Sequence, residues 1–291
     1  MDFLNKFDKQ QVQKITLIVI AALTVLALVL LLVIIIATVN PANPFGISDG
    51  FTDLKEITIT DTDLQTGSLV LADDDHRYTY EFSSGELYVC GEYRNNNIDK
   101  DEEGEMINAY YMNSQTKMKL TKESMEALHK MLVAAEKDVQ KDMLCIDSSY
   151  GYTDESTKEE YNTAQLVYLA GIVSSTEPNV ELPKEYRKWL DEHAADYGFI
   201  ESFEDGYRYV GMAHAKSISG SKDFNSLADY IAYLKENTSV SKTIEIEVDG
   251  STYKIDYVSC KTGETIKVPK GADYTISGTN EGGVIVTVKT K

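Results

Sequence analysis

The longest unbroken apolar run in the chain is Ile15 to Val39, ITLIVIAALTVLALVLLLVIIIATV, with no charged residue inside it. At ~1.5 Å rise per residue, about 25 helical residues cross a hydrocarbon core of ~30 Å with room for tilt. A secretory signal peptide has only ~7–15 apolar residues before a small-residue cleavage site. Ala37-Thr38-Val39-Asn40 is a poor site of that kind, so the pattern predicts an uncleaved transmembrane helix at 15–39. Lys6, Lys9 and Lys14 precede it, and no cation follows until Lys55. Cations stay on the cytoplasmic side, which places residues 1–14 in the cytoplasm and the rest of the chain outside the cell membrane. Pro41 and Pro44 cannot continue a helical ladder and open a linker at 40–55.

Beyond the linker the periodicity changes several times. Leu54 to Phe82 alternates in places (Ile57, Ile59; Leu69, Leu71; Tyr78, Tyr80) and predicts short strands. Asn95 to Glu105 is a polar, charged loop. Four helices are predicted next. The first follows Thr121, an N-cap residue, with Met125, Leu128, Leu132, Ala135 and Val139 on one stripe. The second opens at Ser156, with Glu159 as its capping-box partner, and runs through Tyr161, Leu166 and Leu169 to Gly171. The third follows Pro183, buries Tyr186, Trp189, Leu190, Ala194 and Tyr197, and ends at Gly198. The fourth is Ser226 to Asn237, with Leu227, Ile231 and Leu234 inward. From Thr243 the period becomes two. Asp249-Gly250 between the alternating runs 244–248 and 253–257 predicts a hairpin, and further strands are predicted at 265–268, 274–277 and 284–288. The pattern is thus α+β: one N-terminal transmembrane helix, a mixed domain at 56–240, and a small β-rich appendage at 241–291.

Charge narrows the function. Lys and Arg number 28 against 47 Asp and Glu, a net charge of −19. Such a surface repels polyanions, which excludes nucleic acid as a partner. Cys90, Cys145 and Cys260 are widely spaced and form no zinc knuckle. His76, His129 and His214 stand as separate histidines. His193 and Asp196 are spaced to share a helix face.

Five segments in order resemble the VanY-type D-alanyl-D-alanine carboxypeptidases, zinc enzymes that remove the terminal D-alanine of cell-wall stem peptides. They are Gly67–His76, Leu144–Tyr152, Lys188–Ile200 (KWLDEHAADYGFI), Tyr207–Ala215 (YRYVGMAHA) and Leu227–Ile231. The resemblance covers roughly residues 64–240 and implies a D,D-carboxypeptidase-like domain. In that family a SxHxxGxAxD motif supplies a His and an Asp to zinc. An EPWHxRYVG motif supplies the second His and the general base, and the Arg of SGYR helps bind the substrate carboxylate. Here the first motif falls at 171–183, which has no His or Asp. Gly206 stands at the second His, Phe203 at the base, with Glu204 one place off, and Thr153 at the Arg.

The resemblance therefore implies a pseudopeptidase: a membrane-anchored, cell-wall-facing protein with no catalytic residue, metal ligand or cofactor, which binds peptidoglycan stem peptide or a cell-wall enzyme as partner. The residues left to line a ligand cleft are Tyr150, Tyr152, Tyr207 and Arg208. Two alternatives stand beside it. One is an active zinc D,D-carboxypeptidase with its ligands elsewhere, the only reading with zinc as cofactor. The other is a structural or assembly protein of the cell envelope.

Overall fold

The computed structural model describes residues 51–290 apart from 52, 74, 84, 99, 101–110, 113–117, 140–143, 150–151, 154–159, 162, 175–176 and 240–241, together with Leu23 and Thr24. The chain divides into two units, Met1–Asn43 and Pro44–Lys291. Leu23 and Thr24 are helical, and the rest of the predicted span 15–39 lies outside the described residues. Among the described residues no helix is long and apolar enough to cross a membrane.

The second unit opens with β1 (Leu54–Thr58) and α1 (Asp61–Gln65). Only the first of the strands expected in 54–82 forms. Thr60 and Asp63 cap each other reciprocally and start a helical turn instead. Leu69, Val70 and Leu71 are all buried, in a turn and the irregular segment after it, outside any strand. Next come β2 (Leu87–Val89), α2 (Cys90–Asn96), β3 (Tyr111–Met112), β4 (Lys119–Thr121) and the long helix α3 (Lys122–Val139), whose apolar stripe is the predicted one.

The second predicted helix does not form. Its described part belongs to β7 (Glu160–Tyr161) and β8 (Leu166–Ser174), preceded by β5 (Leu144–Ser149) and β6 (Tyr152–Thr153) and followed by β9 (Glu177–Val180). β8 is a central strand, flanked by β5 and β11 (Gly206–Tyr209). A strand buried on both faces reads as a continuous apolar run, and the run LVYLAGIV imitates a helix stripe.

α4 (Lys184–His193) continues as a 3-10 turn, Ala194–Tyr197, and stops at Gly198, whose φ of 86° is the left-handed conformation that ends a helix. Tyr186 and Trp189 tie α4 to α3 through hydrogen bonds to Glu136 (2.5 Å) and Asp138 (2.8 Å). β10 (Phe199–Phe203) and β11 lead into α5 (Met212–Ser219) and α6 (Leu227–Asn237), the latter capped by Ser226. The tail is all β: β12 (Ile244–Val248), β13 (Ser251–Ser259), β14 (Thr265–Pro269), β15 (Asp273–Gly278) and β16 (Gly283–Lys289). Asp249 and Gly250 both have positive φ (49° and 73°), the geometry that matches a two-residue turn to strand twist.

The larger sheet runs β10-β11-β8-β5-β3, with β9 also on β8, and the tail sheet runs β12-β13-β16-β15. One face of the larger sheet, carrying Val167, Leu169, Phe199 and Tyr207, packs on α3 and α4. On its other face Ile200 joins a second core with Leu69, Leu71, Val210, α6, and Ile255, Tyr257 and Ile285 of the tail sheet. The tail sheet is thus packed into the unit, and β1 closes it further by pairing with β14.

Candidate functional site

The site is set by the register of three antiparallel strands. Phe203 pairs with Gly206, Gly206 with Tyr168, and Arg208 with both Leu166 and Ile200. Directly opposed residues share a face, and neighbours along a strand alternate. Leu166, Tyr168, Ile200, Phe203, Gly206 and Arg208 therefore lie on one face, and Val167 and Tyr207 on the other.

This register offers a second place for the first metal-binding motif of the family resemblance. Sequence places it at 171–183; the strand beside Gly206 is the alternative. Ala164 carries a φ of 55°, a left-handed conformation usual for glycine. With Ala164 at the motif's Gly, Tyr161 stands at the His and Tyr168 at the Asp. The two motifs then meet, as Tyr168 and Gly206 are directly paired. A Cβ added to Gly206 would lie 3.1 Å from Tyr168 Cε1 and 3.3 Å from Phe203 Cβ. The aromatic ring occupies the ground that a side chain at 206 would need.

Phe203 to Gly206 form a tight hairpin with Glu204 and Asp205 at its tip and Asp205 at a φ of 61°. Arg187 on α4 holds Asp205 bidentately, at 2.7 and 3.0 Å, and the Asp205 carbonyl accepts from Leu169 N–H at 3.0 Å. Partial burial raises the Asp205 carboxyl above its usual range, opposed by the Arg187 charge. The segment where the resemblance places a metal ligand and a base is a hairpin held by Arg187.

Beside it, on the same face, lies a cavity of about 420 Å³. Its walls are mostly apolar: Leu71, Leu166, Ile200, Ile218, Phe224 and Leu227. Arg208 is its cation. One Nη2–H donates to the Val70 carbonyl at 2.5 Å, and Nε is buried with no hydrogen-bond partner among the described residues. Burial lowers the guanidinium to about 10, which still leaves it charged at neutral pH. Asp73 also borders the cavity, but its Oδ1 is engaged by the Asp75 and His76 N–H groups and by His76 Nδ1 at 2.6 Å. His76 bridges onward to Glu281 at 3.2 Å, which Lys235 also meets. A second cavity, of about 510 Å³, lies on the other side of β11 between α3 and the tail sheet.

Of the residues expected at a cleft, Arg208 lines this cavity and Tyr207 does not. Tyr207 is 1% exposed in the core against α3 and α4, where burial raises its phenol. Strand alternation separates the two neighbours. Tyr152 lies in β6, paired with Tyr161, and Tyr150 lies outside the described residues. Sequence reading missed Phe203 and Leu166 as cavity residues. The alternation Phe203, Gly206, Arg208 across a hairpin could have signalled them.

The histidines are dispersed. His129 meets Tyr93 edge-on, His193 contacts Asp196 at 3.3 Å, and Asp196 also pairs with Lys216. His214 is buried between Tyr230 (2.9 Å) and Thr287 (2.8 Å). Among the described residues no three His, Cys, Asp or Glu side chains gather to hold a metal ion. Cys90, Cys145 and Cys260 are buried thiols outside any disulfide.

No family model matches the chain. A D-alanyl-D-alanine carboxypeptidase of Enterococcus faecium is 29% identical over 272 residues, spanning 86% of this chain and 84% of the relative. Among solved structures, the vancomycin-resistance D,D-dipeptidase VanXYg, crystallised with a D-Ala-D-Ala phosphinate analogue, superposes with a TM-score of 0.59 at 18% identity. The match covers 82% of this chain and all of that one, so the two share a fold. The LdcB LD-carboxypeptidase superposes with a TM-score of 0.35 at 19% identity, over 52% of this chain and 79% of its own.

Proposed function

We propose that this chain is a non-hydrolytic relative of the D-alanyl-D-alanine carboxypeptidases, anchored in the cell membrane by residues 15–39 and facing the cell wall, where it binds peptidoglycan stem peptide. One observation carries the reading. Two positions that hold zinc in the family lie opposite each other on paired strands, and here they are Gly206 and Tyr168 with the tyrosine ring against the glycine. A catalytic zinc needs three protein ligands and an open position for water. Neither residue supplies a family-type ligand, and Tyr161 supplants the third. The scaffold and a cavity beside the lost centre remain.

The competing reading, an active zinc carboxypeptidase, is favoured by the 29% identity to a carboxypeptidase over most of both chains. The two part on turnover. Full-length chain in mild detergent, supplied with zinc and a stem pentapeptide, is expected to release no D-alanine above the buffer rate while the peptide binds. Release that a chelator abolishes would overturn the proposal.

A further inference from the structure

We propose that the second cavity, between α3 and the tail sheet, binds a segment of an uncharged oligosaccharide, with its sugar rings held by Tyr197, Tyr209 and Tyr253. This cavity is separate from the one beside Arg208, and the inference does not depend on peptide binding there.

The tail sheet changes character where it meets the cavity. Its inner face is apolar at Ile255, Tyr257 and Ile285, which join the second core. Register then sets Thr287 opposite both Ile255 and Thr275, with Tyr253 two places from Ile255 along β13. The same face therefore ends in a ring and hydroxyls. These residues line about 510 Å³, within the ~300–1,000 Å³ of small-ligand pockets. Tyrosine offers a flat apolar face and a hydroxyl, and a sugar ring has flat C–H faces edged by hydroxyls. The rings are held from outside the cavity. Tyr209 meets Phe199 edge-on at 5.4 Å, Tyr197 meets Trp189 at 6.0 Å, and the Lys289 ammonium lies 5.9 Å from the Tyr253 ring centroid. Rings already in place cost little entropy to use. Glu123 and Glu126 supply acceptors from α3. Burial first, and then their charges, raise the Tyr209 phenol to about 12, which sets both carboxylates near a neutral hydroxyl. Carboxylates only accept hydrogen bonds, so a ligand rich in O–H donors matches them. They do not make this a cation site. Lys130 shares the lining, Asp196 is engaged by Lys216 and His193, and among the described residues no three ligand-type side chains gather for a metal. His214 and Ser277 also border the cavity and are bonded within the fold. Glu126 borders a further hollow with Tyr88, Tyr93 and Asn97, which gives a longer chain a second contact.

Calorimetric titration of the full-length chain in mild detergent with chitotetraose, an uncharged amino-sugar chain, and with butylamine as an ammonium probe, tests the site. Chitotetraose is expected to bind saturably and butylamine not at all. Tyr253→Ala should weaken the sugar by about tenfold, while Tyr253→Phe, which keeps the ring face, should stay within about twofold of wild type. If Tyr253→Ala fails to fold, the double variant Glu123→Ala, Glu126→Ala decides instead. Both side chains are exposed on α3, and losing their hydrogen bonds should weaken the sugar by about tenfold. No binding of chitotetraose, binding of butylamine in its place, or unchanged sugar affinity in the deciding variant overturns the proposal. Stem-peptide binding is judged by its own titration and stands or falls separately.

Discussion

Gly206 leaves room above the strand, and the Tyr168 ring lies over it from the paired position. A histidine placed at 206 therefore has to displace the ring. Gly206→His is expected to destabilise the fold by about 1–3 kcal/mol through overpacking. In a Tyr168→Ala background the same change should cost clearly less, because the ring is gone. Chemical denaturation of the four variants of this double-mutant cycle measures the coupling, and additive effects would show that the ring does not occupy the site. At this scale sequence spoke well at the EPWHxRYVG position, where RYVG fixes the alignment to the residue. For the other motif, neither 171–183 nor 159–168 holds a His or Asp, and what points to 159–168 is the left-handed Ala164, a backbone property. Tyr207 and Arg208 were read together as neighbours, and only knowing that they lie on a strand separates them.

Elements with strong local chemistry were legible: α3 from its stripe, α6 from the Ser226 cap, the Asp249-Gly250 hairpin from its turn. β8 was not, since a doubly buried strand has no alternation to read. α5 also escaped, being short and starting directly after Gly211, with its Ala213, His214 and Ala215 all buried. Its His214 joins three elements, bonded to Tyr230 of α6 and Thr287 of β16. A neutral imidazole donates from one nitrogen and accepts at the other, and hydroxyls can serve either role. Burial among these uncharged groups lowers its pKa from 6.5 to about 3. The unfolded chain then binds a proton between these values that the folded chain refuses. Stability from this site is full above about pH 6.5 and falls as pH drops toward 3, by a few kcal/mol in all. Denaturant midpoints of wild type and His214→Gln, taken from pH 7.5 to 5, should converge as pH falls. Parallel curves would contradict a buried neutral histidine.

For the whole molecule, sequence foresaw an α+β carboxypeptidase-like domain followed by a β-rich tail, and the fold is shared with a D,D-dipeptidase. It did not foresee how the tail is used. Ile255, Tyr257 and Ile285 of the tail share a core with Leu71, Val210 and α6, and the Asn280 side chain donates to the Leu71 and Arg77 carbonyls. Those contacts join residues some 200 positions apart and leave no local periodic signal. They also brace the 71–77 segment that borders the Arg208 cavity, so the tail sheet supports the cavity wall.

That the described residues gather no metal centre is the premise on which the proposed function depends, and equilibrium dialysis tests it most directly. Full-length chain dialysed against micromolar zinc at pH 7.5, then analysed for metal, is expected to retain far less than one zinc per chain, with or without peptide. One zinc per chain held against micromolar competition would mean that ligands converge after all, and the protein would then have to be read as an enzyme.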